Sequence, residues 1–405
     1  MANGIPIRAE GMGLTRIVMI AGLAQNVATG LLFGSFGTIL FAIEDRFQAD
    51  RGQSTLTMSL AVVTISLVAA WLGTRIGRQP LKPLMMAGSV LSALGFLLLI
   101  FATSLWQLWA IYLLLLGPGA GLAGVLAANA LVSGWCPPET RGRALGWVNA
   151  PILVTATPLI CEVMLKHGGL DGVFAMLAVT HVAMLPLLLM VQEAAPETSE
   201  NATGAGPRAT SLLGWGFAGL VFVIGTISGG GLLKVSHLIP LVTGQGHSFG
   251  QANLLMSISG LTGIVGSLLF GALSDRMGGA RALALNAVLQ ALSWVILLSP
   301  VSYGLLVIDA IVVGLCGGGL QATIGALLGR LYGQQNFARA YGLMSLLTLP
   351  FLFGLPWIAG MLYVRTGGYH LPISLQIGAF LLAALGAAFF ARPEMRATFR
   401  SGSSI

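Results

Sequence analysis

Long apolar blocks, separated by short polar connections, make up nearly the whole chain. About twenty apolar residues in a helix are enough to cross the ~30 Å hydrocarbon core of a bilayer, and most of the blocks reach that length. A membrane barrel would instead show strands of about ten residues with alternating polarity. The pattern therefore predicts an all-α membrane protein.

Twelve blocks are long enough to be membrane spans, and we number them in chain order. Their predicted limits are residues 17–43, 53–74, 81–102, 106–134, 143–165, 170–191, 212–241, 249–274, 280–299, 302–329, 338–363 and 370–391. An even number of spans predicts that both ends of the chain lie on the same side of the membrane.

The connection after the sixth span has a different composition from the others. Residues 192–211 are polar and rich in proline, glycine and serine, which is typical of a linker rather than a domain. We therefore predict an N-terminal half over residues 1–191, a cytoplasmic linker over 192–211 and a C-terminal half over 212–405, with six spans in each half.

The two halves repeat each other's short motifs. Residues 74–77, 117–124 and 143–146 of the first half correspond to residues 275–278, 314–319 and 339–342 of the second. The offsets of 201, 197 and 196 residues are nearly constant, as a duplicated six-helix unit requires. Two similar halves around a site at mid-membrane are the plan of many secondary transporters.

Composition and charge narrow the function classes. Hydrophobic residues make up 56% of the chain and charged residues 8%, against about 25% charged residues in ordinary soluble domains. The formal net charge is +7, but the basic residues lie in short loops, so we predict no nucleic-acid partner.

Because cytoplasmic loops are enriched in Lys and Arg, we predict both termini on the cytoplasmic side of the plasma (bacterial inner) membrane. Fifteen of the twenty basic residues fall on that side: Arg8, Arg16, Arg75, Arg78, Lys82, Arg141, Arg143, Arg208, Arg276, Arg281, Arg330, Arg339, Arg392, Arg396 and Arg400.

The sequence predicts no enzyme, cofactor or metal site. Cys136, Cys161 and Cys316 are far apart and show no spacing typical of a disulfide frame or a metal site. The glycine clusters at 117–124 and 317–319 lie in apolar spans and lack the lysine of a phosphate-binding loop. The N-terminus lacks the pattern of a cleaved signal peptide. No soluble stretch is long enough for an ATP-hydrolysing domain, so we expect ion or solute gradients to drive transport.

A motif after span eight carries a family resemblance. Gly271-Ala-Leu-Ser-Asp275-Arg276-Met-Gly278-Gly-Ala-Arg281 resembles the cytoplasmic loop signature of the major facilitator superfamily, whose two six-helix halves rock about a central cavity. The resemblance implies that this loop holds the halves together when the cavity is open to the outside. After span two the motif retains Arg75 and Gly77 but has Thr74 in place of the acid. We expect the second copy, with Asp275, Arg276, Gly278 and Arg281, to carry more of this latch.

Shorter strings are similar to one branch of that superfamily. Residues 117–121, 135–146, 354–360 and 366–369 resemble the glycine-rich and proline-containing segments of the monocarboxylate and oxalate/formate porters. Members of that branch commonly carry an arginine inside span eight for the substrate carboxylate. Residues 249–273 contain no Lys or Arg, so this chain departs from the branch at that position.

Lys234, which follows the glycines 229–231 in span seven, is the sharpest candidate for a functional residue. A charged side chain at mid-membrane costs about 2.5–3.5 kcal/mol on insertion scales, and each glycine weakens a helix by about 1 kcal/mol. This combination predicts the edge of a solute site.

Asp309 in span ten is predicted at a matching depth, and the resemblance places spans seven and ten at the central cavity. The two residues could form an ion pair that couples proton or carboxylate binding to the conformational switch. Alternatively, Lys234 could reach the headgroups while Asp309 braces its helix locally.

Other polar residues inside the spans are weaker candidates. His237 shares the helix face of Lys234 and could respond to protons, or simply be hydrated at the end of the span. Asn26, Gly30 and Gly34 form one face of span one, which predicts either solute contact or close helix packing. Asn149 and Gln321 are further candidate solute contacts. At the outer end of span five, Glu162 and Lys166 are spaced for an ion pair.

Together these patterns predict a secondary active transporter that moves a small organic anion, expected to be a monocarboxylate, by alternating access with proton coupling. The expected partners are the solute, protons and the lipid bilayer, and we expect a monomer. The alternative is efflux of amphipathic or hydrophobic compounds, which the missing span-eight arginine favours. A third interpretation is a non-transporting sensor or receptor on the same scaffold.

Overall fold

The computed structural model describes residues 11–76, 79–135, 144, 147–192 and 215–401. Every regular element within these residues is helical. The helices are Gly11–Gln25, Leu31–Phe47, Arg51–Gly73, Leu81–Phe101, Leu105–Ile111, Gly117–Ala123, Val125–Ser133, Ile152–Leu189, Trp215–Gly244, Phe249–Met277, Gly279–Ile296, Tyr303–Leu347, Leu349–Thr366 and His370–Ser401, with short π-helical turns at Asn26–Gly30 and Tyr112–Leu116.

Among the described residues, eleven helical stretches are long and apolar enough to cross a membrane. One of them, Ile152–Leu189, has 38 residues, which at 1.5 Å per residue is about twice the thickness of a bilayer core. Gly169 interrupts it with a backbone conformation of φ 61° and ψ −163°, which glycine alone adopts readily. This stretch therefore contains the predicted fifth and sixth spans, and the other ten stretches correspond to the remaining predicted spans.

Local sequence explains where several spans begin and end. Asp50 caps the helix that starts at Arg51 and pairs reciprocally with Gln53, and Ser248 does the same with Gln251 at the start of span eight. Span eight ends at Gly278, whose φ of 91° is a conformation that residues with a side chain rarely adopt. The chain thereby turns directly into span nine.

Buried apolar side chains form two large clusters. One draws almost entirely on residues between Ile17 and Val191, and the other on residues between Phe217 and Ala391. Large apolar side chains such as Leu114, Leu268 and Leu385 are exposed on the outside of the bundle, as expected for helices that face lipid. Each half of the chain thus has its own core.

The halves approach each other closely at small residues. A methyl group at Gly37 of span one would lie 3.1 Å from the carbonyl oxygen of Val235 in span seven. In the same way, spans two and eleven meet at Gly360 and spans five and eight meet at Gly260. One face of the bundle contains the end of span one, the start of span two and the start of span twelve. We call it the far face. The halves pack together toward this face, which lies opposite the start of span one and the end of span twelve.

Several sequence predictions concern segments outside the described residues. The predicted linker lies there from residue 193 to residue 211, as do Gly77 of the first latch motif, Cys136 and most of the string 135–146, which includes the repeat motif at 143–146.

Candidate functional site

The side chains of Lys234 and Asp309 meet inside the second half. The lysine Nζ lies 2.6 Å from Oδ1 of Asp309. The exposed fractions of the two side chains are 3% and 1%, so neither charge reaches the lipid headgroups. The structure thus brings together the two residues that sequence reasoning paired.

Two residues of span nine complete the surroundings of the pair. The hydroxyl of Ser293 donates a hydrogen bond to Oδ1 of Asp309 and accepts one of 3.4 Å from the lysine Nζ. The ammonium also lies 5.2 Å from the centroid of the Trp294 ring, a cation–π distance. Among the described residues, Oδ2 of Asp309 has no hydrogen-bond partner. One carboxylate oxygen therefore carries the ion pair, and the other lacks a protein donor.

The three glycines before the lysine allow close approach of neighbouring helices. A methyl group at Gly229 would lie 2.7 Å from the carbonyl oxygen of Phe351 in span eleven, and one at Gly230 would lie 2.5 Å from the ring of Phe380 in span twelve. Among the described residues, no atom of a neighbouring helix lies within 4 Å of the corresponding position at Gly231. Two of the glycines are therefore required by packing, and the third faces open space.

Span seven turns different faces toward the two halves. Val235 lies beside span one, and Gly231 lies one helical turn earlier on the same face. Lys234 is rotated by about 100° from Val235 and contacts spans nine and ten. The ion pair is thus built into the second half, behind the helix face that meets the first half. It does not lie at an open solute site in this conformation.

His237 takes part in a chain of hydrogen bonds at the far face. Its Nε2 lies 3.0 Å from the carbonyl oxygen of Pro356, and its Nδ1 lies 3.0 Å from the hydroxyl of Tyr369. The Tyr369 oxygen in turn accepts a hydrogen bond of 2.9 Å from Nη1 of Arg51, and Arg51 forms an ion pair with Glu44. Burial raises the pKa of the Tyr369 hydroxyl, which therefore stays protonated and donates to His237. The histidine is buried rather than hydrated.

Asn26 braces the contact between spans one and five. Its Nδ2 donates to the carbonyl oxygen of Ala150, and its Oδ1 accepts from the backbone amide of Leu153, both at 2.9 Å. Gly30 and Gly34 pack against the same segment, with Val154 beside both. The face predicted on span one is therefore a packing face, and the structure gives Asn26 a bracing role.

The other candidate solute contacts lie in two separate places. The amide of Asn149 donates a hydrogen bond of 2.8 Å to Oδ1 of Asn129. Gln321 is exposed and accepts a hydrogen bond of 2.7 Å from the hydroxyl of Tyr341. Neither residue contacts the Lys234–Asp309 pair.

The second latch motif surrounds the turn after span eight. Asp275 and Arg276 are exposed and Gly278 is buried in the turn, while Arg330 donates to the backbone carbonyl of Asp275 at 3.3 Å. Arg281 lies in the first turn of span nine, Gly279–Ile296. In the first motif, the Arg75 guanidinium stacks on the ring of Trp71, 5.1 Å from its centroid.

Sequence reasoning missed Ser293, Trp294, Tyr369 and Arg51. A serine followed by a tryptophan in an apolar span gives no signal of a charged neighbour, because both residues are common in membrane helices. Arg51 and Tyr369 begin spans at opposite ends of the chain, and only the fold brings them together. The ion pair between Glu162 and Lys166 was predicted and is confirmed, with 2.8 Å between Nζ and Oε1.

Comparison with known proteins decides the family. The sequence profile of the Major Facilitator Superfamily matches residues 23–249 and 221–403. The chain belongs to this superfamily. It is therefore a multi-pass integral membrane protein of a transporter family, and the predicted fold class is confirmed.

Several curated relatives share the resemblance noted in the sequence. Monocarboxylate transporter 13 from Rattus norvegicus is 26% identical over 376 residues, covering 90% of this chain and 86% of the relative. Monocarboxylate transporter 11 from Homo sapiens is 28% identical over 391 residues, covering 91% and 80%. These similarities confirm the resemblance to the monocarboxylate branch of the superfamily.

A solved structure shares the fold. The crystal structure of a bacterial homologue of the human lysosomal transporter Spinster, in an inward-facing and unoccupied conformation, matches with a TM-score of 0.72. The match covers 98% of this chain and 99% of that chain at 14% sequence identity. At this identity, the likeness concerns the fold alone.

Proposed function

We propose that the protein is a secondary active transporter that moves a small organic anion of the monocarboxylate class by alternating access, driven by coupled proton movement. The observation that carries the proposal is the buried ion pair between Lys234 and Asp309, which joins spans seven and ten. A buried ion pair of this kind is rare inside membrane spans and is a functional-site hypothesis by default.

The charge balance of the pair favours joint binding of a proton and an anion. A proton on Asp309 removes the attraction to Lys234 and leaves the ammonium buried without a counter-charge, which costs about 3–5 kcal/mol. A solute carboxylate beside Lys234 would restore the balance. Binding one proton together with one monovalent anion leaves the net charge of the site unchanged, whereas binding either alone does not.

Asp309 is suited to accept the proton because its two oxygens are unequally satisfied. Oδ1 holds the ion pair and the hydrogen bond from Ser293, while Oδ2 is buried and has no partner among the described residues. A charged, buried oxygen without a donor is costly. Protonation at Oδ2 lowers that cost without displacing Ser293.

The solute must reach Lys234 through a change in spans seven and ten, because the pair faces the interior of the second half. Three successive glycines weaken span seven next to the lysine by about 1 kcal/mol each relative to alanine, so bending there is comparatively easy. Asn149 and Gln321 remain the proposed first contacts of the solute. The names of the relatives, monocarboxylate transporters 13 and 11, support the proposed solute class.

The same proposal extends to the membrane setting. We propose a monomer in the plasma membrane with both termini in the cytoplasm, on the basis of the distribution of basic residues. Asp275, Arg276, Gly278 and Arg281 would then latch the cytoplasmic face when the far face opens.

The substrate class can be tested with purified protein in liposomes. We expect an acidic exterior and a neutral interior to drive uptake of labelled L-lactate, pyruvate or propionate above the rate in empty liposomes, and we expect the matched amides to enter no faster than they enter empty liposomes. The amides have similar size but carry no charge, so they control for diffusion through the bilayer. Uptake of none of the three acids at any imposed gradient would contradict the proposal.

Efflux of amphipathic compounds is the second candidate function. The specific observation in its favour is that span eight, Phe249–Met277, has Arg276 as its only basic residue, and Arg276 lies at the end of the helix. Extrusion of a lipophilic fluorescent dye from the same liposomes, without acid uptake, would support this alternative. Tight binding of an acid without flux would support a sensor.

A further inference from the structure

We propose that Arg51, Tyr369 and His237 form the gate that closes the far face of the transporter, with Glu44 holding Arg51 in place. These are positioning residues, because they control access to the interior of the transporter from the far face and need not touch the solute. It goes beyond the proposed function, which concerns the ion pair deeper in span seven.

The gate is a continuous chain of hydrogen bonds with a fixed direction. A carbonyl oxygen only accepts, so His237 donates from Nε2 to Pro356 at 3.0 Å and its Nδ1 must accept from the hydroxyl of Tyr369 at 3.0 Å. The same hydroxyl oxygen accepts from Nη1 of Arg51 at 2.9 Å. The direction of each hydrogen bond is therefore fixed, and losing Arg51 or Tyr369 interrupts the chain.

The chain crosses from one half of the transporter to the other. Glu44 and Arg51 belong to spans one and two, whereas His237, Pro356 and Tyr369 belong to the second half. When the halves separate at the far face, the ion pair between Glu44 and Arg51 persists, because both residues lie in the first half. The hydrogen bond from Arg51 to Tyr369 must break.

Aromatic rings surround the guanidinium at this crossing. The Cζ atom of Arg51 lies 5.2 Å from the ring centroid of Phe41 in the first half and 5.2 Å from that of Tyr363 in the second. Both are cation–π distances. Opening therefore removes a charge-assisted hydrogen bond and one cation–π contact together, which gives Arg51 more influence on closure than a simple surface ion pair.

The gate is also connected to the ion pair. His237 lies three residues after Lys234, so both project from the same side of span seven. A small cavity lies between them, and its walls include both residues together with Trp294 and Tyr369. Movement of Tyr369 would thus remove a wall of the cavity next to the lysine.

Arg46 provides a matched control at the same face. It forms an ion pair with Asp171 and donates to the carbonyl oxygen of Ile100 at 2.6 Å. All three residues lie in the first half. Replacing Arg46 therefore removes an arginine and an ion pair from the far face without touching a contact between the halves.

The test measures how often the far face opens. Thr55 is fully buried, and its Oγ1 would lie 2.6 Å from a methyl group at Gly360 across the two halves, so a Thr55→Cys variant reports on this seam. Cys136, Cys161 and Cys316 are first replaced by alanine. The rate of labelling by a water-soluble maleimide is then measured in nanodiscs, where both faces are accessible and no solute is needed.

We expect Arg51→Gln to raise the labelling rate about tenfold or more, because a hydrogen bond to a charged group is lost from the closed state alone. Tyr369→Phe, which removes one hydroxyl, should raise it by a smaller factor, and Arg46→Gln should leave it unchanged. Unfolding temperatures measured on the same samples identify variants that merely unfold. Labelling rates equal to that of the parent in both Arg51→Gln and Tyr369→Phe would overturn the proposal, as would an equal rise in Arg46→Gln.

Discussion

At Lys234, one buried positive charge is balanced by one buried carboxylate, and this balance decides how the residue behaves. Membrane insertion of a lone lysine is costly, and the pair with Asp309 offsets part of that cost. Replacing both members of a buried pair by apolar residues is often neutral or stabilising, whereas removing one member is strongly destabilising. A buried ion pair is therefore weak evidence that Lys234 and Asp309 serve only to stabilise the fold.

This reasoning predicts the stability of three variants. Asp309→Leu should lower the free energy of unfolding by about 3–5 kcal/mol, because the lysine is left buried and unpaired. The double variant Lys234→Met with Asp309→Leu should regain most of that loss. Thermal unfolding of the purified protein in detergent measures both effects.

The exposed pair at Lys166 serves as the control for that experiment. Its lysine side chain is 64% exposed, so Lys166→Met should change the stability by less than about 1 kcal/mol. If Asp309→Leu were as stable as Lys166→Met, the pair at Lys234 would not carry the buried charge balance described above.

Sequence could indicate the partners of Lys234 only in part. The cost of a buried charge predicts that Lys234 and Asp309 each need a partner. Their matching depth, together with the family resemblance that places spans seven and ten at the central cavity, makes them candidates for each other. The direction in which Lys234 points depends on which faces of span seven are taken by neighbours. Gly229 and Gly230 settle this through contacts with spans eleven and twelve, which no local pattern in span seven predicts.

At the scale of single helices, glycines fix the positions where spans turn or touch. Gly278 and Gly271 illustrate two different cases within seven residues. Gly278 has a φ of 91° and ends span eight, so its conformation excludes most side chains. Gly271 lies inside the helix, and in the part of the chain that the structure describes no neighbouring helix lies within 4 Å of the place where a methyl group would be.

The two glycines therefore predict opposite responses to alanine. Gly278→Ala should lower the free energy of unfolding by about 1–2 kcal/mol, because it forces a side chain into left-handed backbone geometry. Gly271→Ala should raise it by up to about 1 kcal/mol through helix propensity. Chemical or thermal unfolding in detergent distinguishes them, and equal effects of both substitutions would contradict the assigned roles.

The helix boundaries are largely predictable because the length and position of an apolar block are local signals in the sequence. The interpretation of span one was less certain, since Asn26, Gly30 and Gly34 suit either packing or solute contact. The structure resolves this through span five, which breaks near Pro151 and leaves the backbone groups of Ala150 and Leu153 for Asn26 to bind. A contact that depends on an irregular segment of another span could not be inferred from span one alone.

At the scale of the whole molecule, two cores are joined by seams of small residues on the far face. Glycines at 37, 260 and 360 bring the halves to backbone distance. Polar contacts reinforce the seam, since Thr38 donates to Asn253 at 2.6 Å and Asn253 donates to Glu162 at 3.1 Å. Such seams suit a transporter, because they close tightly yet contain few bonds that must break on opening.

The central claim is that Asp309 couples proton movement to anion transport through Lys234. The most direct measurement compares two modes of L-lactate flux in liposomes containing either the parent protein or Asp309→Asn. One mode is accumulation driven by an imposed pH gradient, and the other is exchange of labelled for unlabelled lactate at equal pH, which needs no net proton movement. We predict that Asp309→Asn loses gradient-driven accumulation at least tenfold more than it loses exchange. Accumulation in Asp309→Asn that exceeds that of empty liposomes and still follows the pH gradient would contradict the account.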